Sequence, residues 1–92
     1  MNIGVLTLKI IIPYAQSLKD KRHVIHSLRD RLKKFNVSIA ECDHQDLWQR
    51  SSLGIVAIAS NHTILEQTLQ RANGEAEKIL NGNLSDSQIE YL

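Results

Sequence analysis

The chain has 92 residues, 42% hydrophobic and only 4% aromatic, with a formal net charge of +1. This composition supports one domain around a core of Ile, Leu, Val and Ala, and is too apolar for a disordered segment. The single cysteine, Cys42, excludes an internal disulfide framework and a cysteine-based zinc site.

The first element is residues 3–12, IGVLTLKIII, apolar on nearly both alternating faces with Thr7 and Lys9 interrupting one of them. Such a stretch reads as a central strand with at least one face covered, and Pro13 ends it because proline cannot donate to a ladder. The run is about ten residues long, too short and too interrupted for a signal peptide or membrane span. A cytoplasmic protein without membrane association is therefore expected.

A helix of about 18 residues follows. Ser17 caps it, with Asp20 at the third position completing a capping-box pattern. Leu18, Val24, Ile25, Leu28, Leu32 and Phe35 form its apolar stripe, and Lys19, Arg22, His23, His26, Arg29, Lys33 and Lys34 cover the other faces. Asn36 is read as its left-handed terminator.

Residues 37–42 alternate Val37 and Ile39 with Ser38 and Ala40, as in an edge strand. Residues 53–59 are almost wholly apolar and read as a second central strand. The connection between them carries Asp43, His44, Gln45, Asp46, Trp48 and Arg50.

A second helix starts near residues 61–63, with Thr63 and Glu66 at capping-box spacing. Leu65, Leu69, Ala72, Ala76 and Ile79 form its stripe, and Gly74 weakens its interior by about 1 kcal/mol relative to alanine. Asn81-Gly82-Asn83 stops it. Residues 81–92 form a short C-terminal segment, with Ile89, Tyr91 and Leu92 available for a last edge strand. The β-α-β-β-α-β order predicts a single α+β domain of ferredoxin-like type over residues 1–92: an antiparallel four-stranded sheet with two helices on one face. The opposite face of the first strand (Ile3, Val5, Ile11) is apolar enough to predict a patch that takes a partner or a second copy.

The net charge conceals an asymmetry. Residues 1–34 carry eight Lys and Arg against Asp20 and Asp30, a net of +6. Residues 35–92 carry Arg50, Arg71 and Lys78 against eight acids, a net of −5. The split fits a basic face for a polyanion, and equally two halves that neutralise each other.

The motifs offer little chemistry. Asp43-His44-x-Asp46 has the residue types of a metal or acid–base site, but equally those of a solvated turn. His23 and His26 are three apart on a helix, but Arg22 and Arg29 would repel a cation. Ser51 and Ser52 lack a glycine elbow, and the four glycines are scattered singly, so neither a hydrolase nor a phosphate loop is indicated. Trp48 is either a cover for the sheet edge or an exposed platform for a base, with Arg50 beside it. The two central strands carry no aromatic, so base stacking on the open sheet is not expected. No cofactor or metal is expected.

The phrases SLKDKRHVIHSLRDRLKKFNVSIAE and DHQDLWQRSSLGIVAIAS closely resemble the bacterial YlxP-like family, a domain of unknown function, over roughly residues 3–80. The resemblance implies a ferredoxin-like fold and a gene neighbourhood of transcription and translation factors, near initiation and ribosome-maturation proteins. It implies no established activity and no catalytic residues. The tail after Asn81 departs from the family pattern.

The resulting expectation is a non-enzymatic cytoplasmic domain that associates with RNA or ribosomal particles. Lys19, Lys21, Arg22, Arg29, Lys33 and Lys34 are expected on phosphates, with Trp48 and Arg50 as a local anchor. The alternative is a protein-interaction or homodimerisation module using the open sheet face. An enzyme built on His44, Asp43 and Asp46 ranks last.

Overall fold

The alternation in the first strand decides the layout. In β1 (Asn2–Ile11), Gly4, Leu6, Leu8 and Ile10 are buried, while Lys9 and Ile11 on the other parity are exposed. The structure, a computed structural model, describes residues 1–43 and 47–92. After β1 come α1 (Leu18–Leu32), β2 (Ser38–Asp43), β3 (Arg50–Ala59), α2 (His62–Leu80) and β4 (Leu84–Tyr91). The sheet order is β2-β3-β1-β4, antiparallel throughout, with Leu6 opposite Ile55 and Ile89. This is the expected ferredoxin-like architecture.

Leu6, Leu8, Ile10, Leu53, Ile55 and Ala57 of the central strands pack against Ile25, Leu28 and Leu32 of α1 and Leu65, Leu69, Ala72, Ala76 and Leu80 of α2. Each Leu or Ile buried there contributes about 1.5–3 kcal/mol. Leu80 is buried where Ile79 was expected to be; Ile79 is half-buried beside it.

The ends of the helices differ from expectation in physically informative ways. Ser17 does cap α1, its Oγ accepting the Asp20 N–H at 3.1 Å. The return bond shifts by one residue: Asp20 Oδ2 accepts from the Gln16 N–H at 2.9 Å, not from the cap itself. α1 stops at Leu32, and its C-cap Lys33 keeps right-handed angles. Asn36 is not a left-handed terminator; among the described residues only Asn81 is a non-glycine with positive φ. α2 is capped by Asn61, whose Oδ1 accepts the Ile64 N–H at 2.9 Å. Thr63 is therefore inside the helix, and Glu66 pairs with His62 at 3.4 Å. Asn81 (φ 45°) and Gly82 (φ 94°) turn the chain into the left-handed region and send it back as β4.

β4 is longer than the expected tail strand, and its register slips between Lys9 and Ile10 of β1. β3 begins at Arg50, three residues before the apolar run, because Ser51 and Ser52 are buried in the ladder.

The helix layer sits close on β1. A Cβ on Gly4 would lie 2.7 Å from Leu69 Cδ1 and 3.3 Å from Tyr91 Cδ1. Leu69 is fully buried and cannot swing clear. Gly4→Val is expected to destabilise the fold by about 1–3 kcal/mol through overpacking, read as a lower urea midpoint with an unchanged slope.

Candidate nucleic-acid interface

Six cations were expected on one face, and the structure divides them. Lys21 is 1% exposed and belongs to the interior. It lies four residues before Ile25 and seven before Leu28, so it occupies the buried stripe of α1. Its Nζ meets Glu41 Oε2 of β2 at 3.0 Å and the Arg50 carbonyl of β3 at 3.4 Å. Ser51 Oγ donates to the same Glu41 oxygen at 2.7 Å. A charge carried that deep needs a partner charge and hydrogen bonds, and it has both. Lys21 is thus removed from the set of phosphate contacts and tied into the joint between α1, β2 and β3.

The remaining cations lie on two flanks of α1. Arg31 and Lys34 face α2, where Glu75 Oε1 lies 4.0 Å from Arg31 Nη1 and 3.1 Å from Lys34 Nζ. That Glu75 side chain is only 16% exposed, so here the acidic half does neutralise the basic one. Lys19, Arg22, His26, Arg29 and Lys33 follow each other at steps of three and four residues and share the opposite flank. Arg29 fixes which way it faces, because its Nη2 donates to the Ile39 carbonyl of β2 at 2.9 Å. Arg29 and Lys33 line a hollow of about 190 Å³ together with Val37 and Ile39. Lys33 also meets Asp30 at 3.3 Å, but both side chains are more than 70% exposed and such a pair holds little. Lys19 and Arg22 are exposed and, among the described residues, have no ion pair.

Trp48 and Arg50 are exposed at the start of β3, and Trp48 is 51% accessible. With Leu47, Gln49 and Arg50, Trp48 lines an open hollow of about 470 Å³. Gln49 pins this segment to the β1–α1 connection, its Nε2 donating to the Pro13 and Ala15 carbonyls at 3.1 and 3.3 Å. Tyr14, between those two residues, is 60% exposed. The sequence reading missed Tyr14; its adjacency to Pro13 in a turn, outside every apolar stripe, was the available signal.

Asp43 ends β2 and is exposed. His44, Gln45 and Asp46, also expected in this loop, lie outside the described residues. Among the described residues no three His, Cys, Asp or Glu side chains come together as metal ligands. His23 and His26 are exposed on α1. Among the described residues no helix is long and apolar enough to cross a membrane.

On the face away from the helices, Ile3 and Val5 of β1 stand opposite Ile58 and Val56 of β3. Ile58 is 51% and Val56 42% exposed. Polar groups bound this apolar group: Glu90 lies opposite Val5, Asp86 opposite Lys9 and Arg50 opposite Ile11. Ile11, 41% exposed, stands apart from this group at the other end of β1.

The sequence profile of the family described as Protein of unknown function (DUF503) matches residues 3–89. The chain is 47% identical over 70 residues to "Uncharacterized protein YlxP" of Bacillus subtilis (strain 168), covering 75% of this chain and 76% of that one. In fold it is similar to the de novo designed protein Foldit4, with TM-score 0.58 and 11% identity, over 99% of this chain and 94% of that one. It is also similar to the de novo designed ferredoxin-fold protein LFR1 1, with TM-score 0.54 and 13% identity, over 100% and 83% of the two chains. These two similarities speak to the fold alone.

Removing one partner of the buried pair weakens the compensation of the other's charge. Glu41→Gln is expected to destabilise the protein by about 3 kcal/mol, because Lys21 stays buried while the Glu41 charge opposite it is lost. The double variant Lys21→Met with Glu41→Leu is expected closer to wild type than Glu41→Gln, as read by chemical denaturation.

Proposed function

We propose that this chain, which belongs to the DUF503 family of proteins of unknown function, is a cytoplasmic, non-enzymatic domain that associates with RNA through the β2-side flank of α1. The observation that carries this reading is the sorting of the α1 cations. Those that the acidic half neutralises point at Glu75, while Lys19, Arg22 and Lys33 are exposed on the other flank. A basic helix serving only to hold the two halves together would need just the first group.

The flank suits a polyanion in its dimensions as well as its sign. From Lys19 to Lys33 it runs about 21 Å, with successive groups about 4.5–6 Å apart along the axis. That step is close to the spacing of neighbouring phosphates on an RNA strand. Arg29 contributes charge to the flank while its guanidinium stays fastened to Ile39. Binding of this kind rests on counterion release and weakens steeply with salt.

A second reading draws on the exposed Val56 and Ile58, which suit a protein partner or a second copy. Ile58→Asp is expected to abolish any concentration-dependent rise in mass seen by light scattering, and to leave RNA retention unchanged.

For the primary reading, Lys19→Glu, Arg22→Glu and Lys33→Glu together are expected to lower affinity for fragmented ribosomal RNA by about tenfold or more. The log–log salt slope should fall by about 0.7 for each lost contact to a single strand. Arg31→Glu with Lys34→Glu serves as the comparison and is expected to cost stability with far less loss of RNA. Equal retention by wild type and the triple variant would refute the proposal.

A further inference from the structure

The two exposed aromatics at the N-terminal end of the α1 flank have no role in packing the core. Tyr14 is 60% and Trp48 51% exposed, and neither joins the buried cluster. They sit on separate connections, one between β1 and α1 and the other leading into β3. Gln49 joins those connections by bonding the carbonyls on either side of Tyr14. The Ile12 N–H donates to the Gln49 carbonyl at 2.9 Å, which adds a backbone tie at the same point. Two large side chains are thus held out toward water on a braced support, which exposes apolar area without any gain in folding.

The surroundings limit what they can take. The hollow of about 470 Å³ beside Trp48 falls within the size range of small-ligand sites, and Gln49 and Arg50 line it together with Trp48 and Leu47. The Lys21 ammonium reaches the Arg50 carbonyl, so the hollow lies next to the first turns of α1, where Lys19 and Arg22 stand exposed. An aromatic face, polar groups at its rim and phosphate-binding charge alongside are the elements that grip a nucleotide whose base has left its stack. A duplex keeps its bases stacked and would satisfy the charges while leaving the aromatics idle.

Resting on the reading of α1 as an RNA-binding flank, we propose that Trp48 and Tyr14 are each a stacking platform for an unpaired nucleobase, so that the ligand is single-stranded RNA whose backbone continues along Lys19, Arg22 and Lys33. Gln49 is a positioning residue that holds the two aromatic connections together.

The test compares a fluorescein-labelled single-stranded oligoribonucleotide of about ten nucleotides with a duplex of the same length, at low salt. Trp48 is the only tryptophan, so its emission reports on the site directly. The single strand is expected to bind more tightly than the duplex and to quench Trp48. Trp48→Ala and Tyr14→Ala should each weaken the single strand about tenfold and leave duplex binding unchanged, and Trp48→Phe should restore most of the loss. Equal affinity for the two forms, with Trp48→Ala neutral, would overturn the stacking platforms while leaving the α1 flank intact as an RNA contact. If Lys19→Glu, Arg22→Glu and Lys33→Glu together also left both affinities unchanged, the underlying reading would fall with it. Because both aromatics are exposed, the alanine variants should keep the wild-type circular dichroism spectrum.

Discussion

A lysine ammonium in the interior is the constraint around which this small sheet is assembled. Lys21 reaches from α1 to Glu41 on β2 and to the Arg50 carbonyl at the start of β3, and Ser51 donates to the same carboxylate. Water cannot solvate the ammonium at 1% exposure, so the three elements must meet in one geometry for the charge to keep these partners. Apolar packing alone tolerates small slips between helix and strand; a buried ion pair with a shared hydroxyl does not. The start of β3, and with it the placement of Gln49 and Trp48, follows from that joint.

The same joint gives α1 its division of labour. With Lys21 turned inward and Arg29 fastened to β2, the helix cannot rotate, and the directions of its other cations are set. Arg31 and Lys34 are turned to Glu75, and Lys19, Arg22 and Lys33 to the solvent beside β2. The charge imbalance between the two halves of the chain therefore has two parts, one internal to the fold and one available to a partner. The two readings open at the level of sequence, mutual neutralisation and polyanion binding, apply to different residues of one helix.

Much of the fold was legible because its signals are periodic. The alternation in β1, the stripe through Leu65, Leu69, Ala72 and Ala76, and the stop at Asn81-Gly82 all lie where local pattern and tertiary packing agree. Lys21 was misread because residue type was allowed to outweigh position: its spacing from Ile25 and Leu28 already placed it inside. The cap of α2 was misplaced because Asn61 and Thr63 are both good capping residues, and two-residue differences at helix ends depend on the strand before them. Asn36 lost the terminating role because the chain leaves α1 through right-handed angles at Lys33. Tyr14 escaped notice because its meaning depends on Gln49, more than thirty residues away, and no local pattern encodes that bond.

The Arg29 guanidinium on the Ile39 carbonyl has a bearing on how the protein behaves in a crowded solution. β2 is the rim of the sheet, and an open rim is a template on which further strands, from this chain or another, can add. A bulky cation bonded to the strand's own backbone occupies that template and repels an identical neighbour carrying the same charge. On the far rim the register slip beside Lys9 and the carboxylates of Asp86 and Glu90 have a similar effect. Both borders of the sheet thus discourage endless lateral growth, which would otherwise threaten a domain whose strands are so rich in isoleucine and leucine.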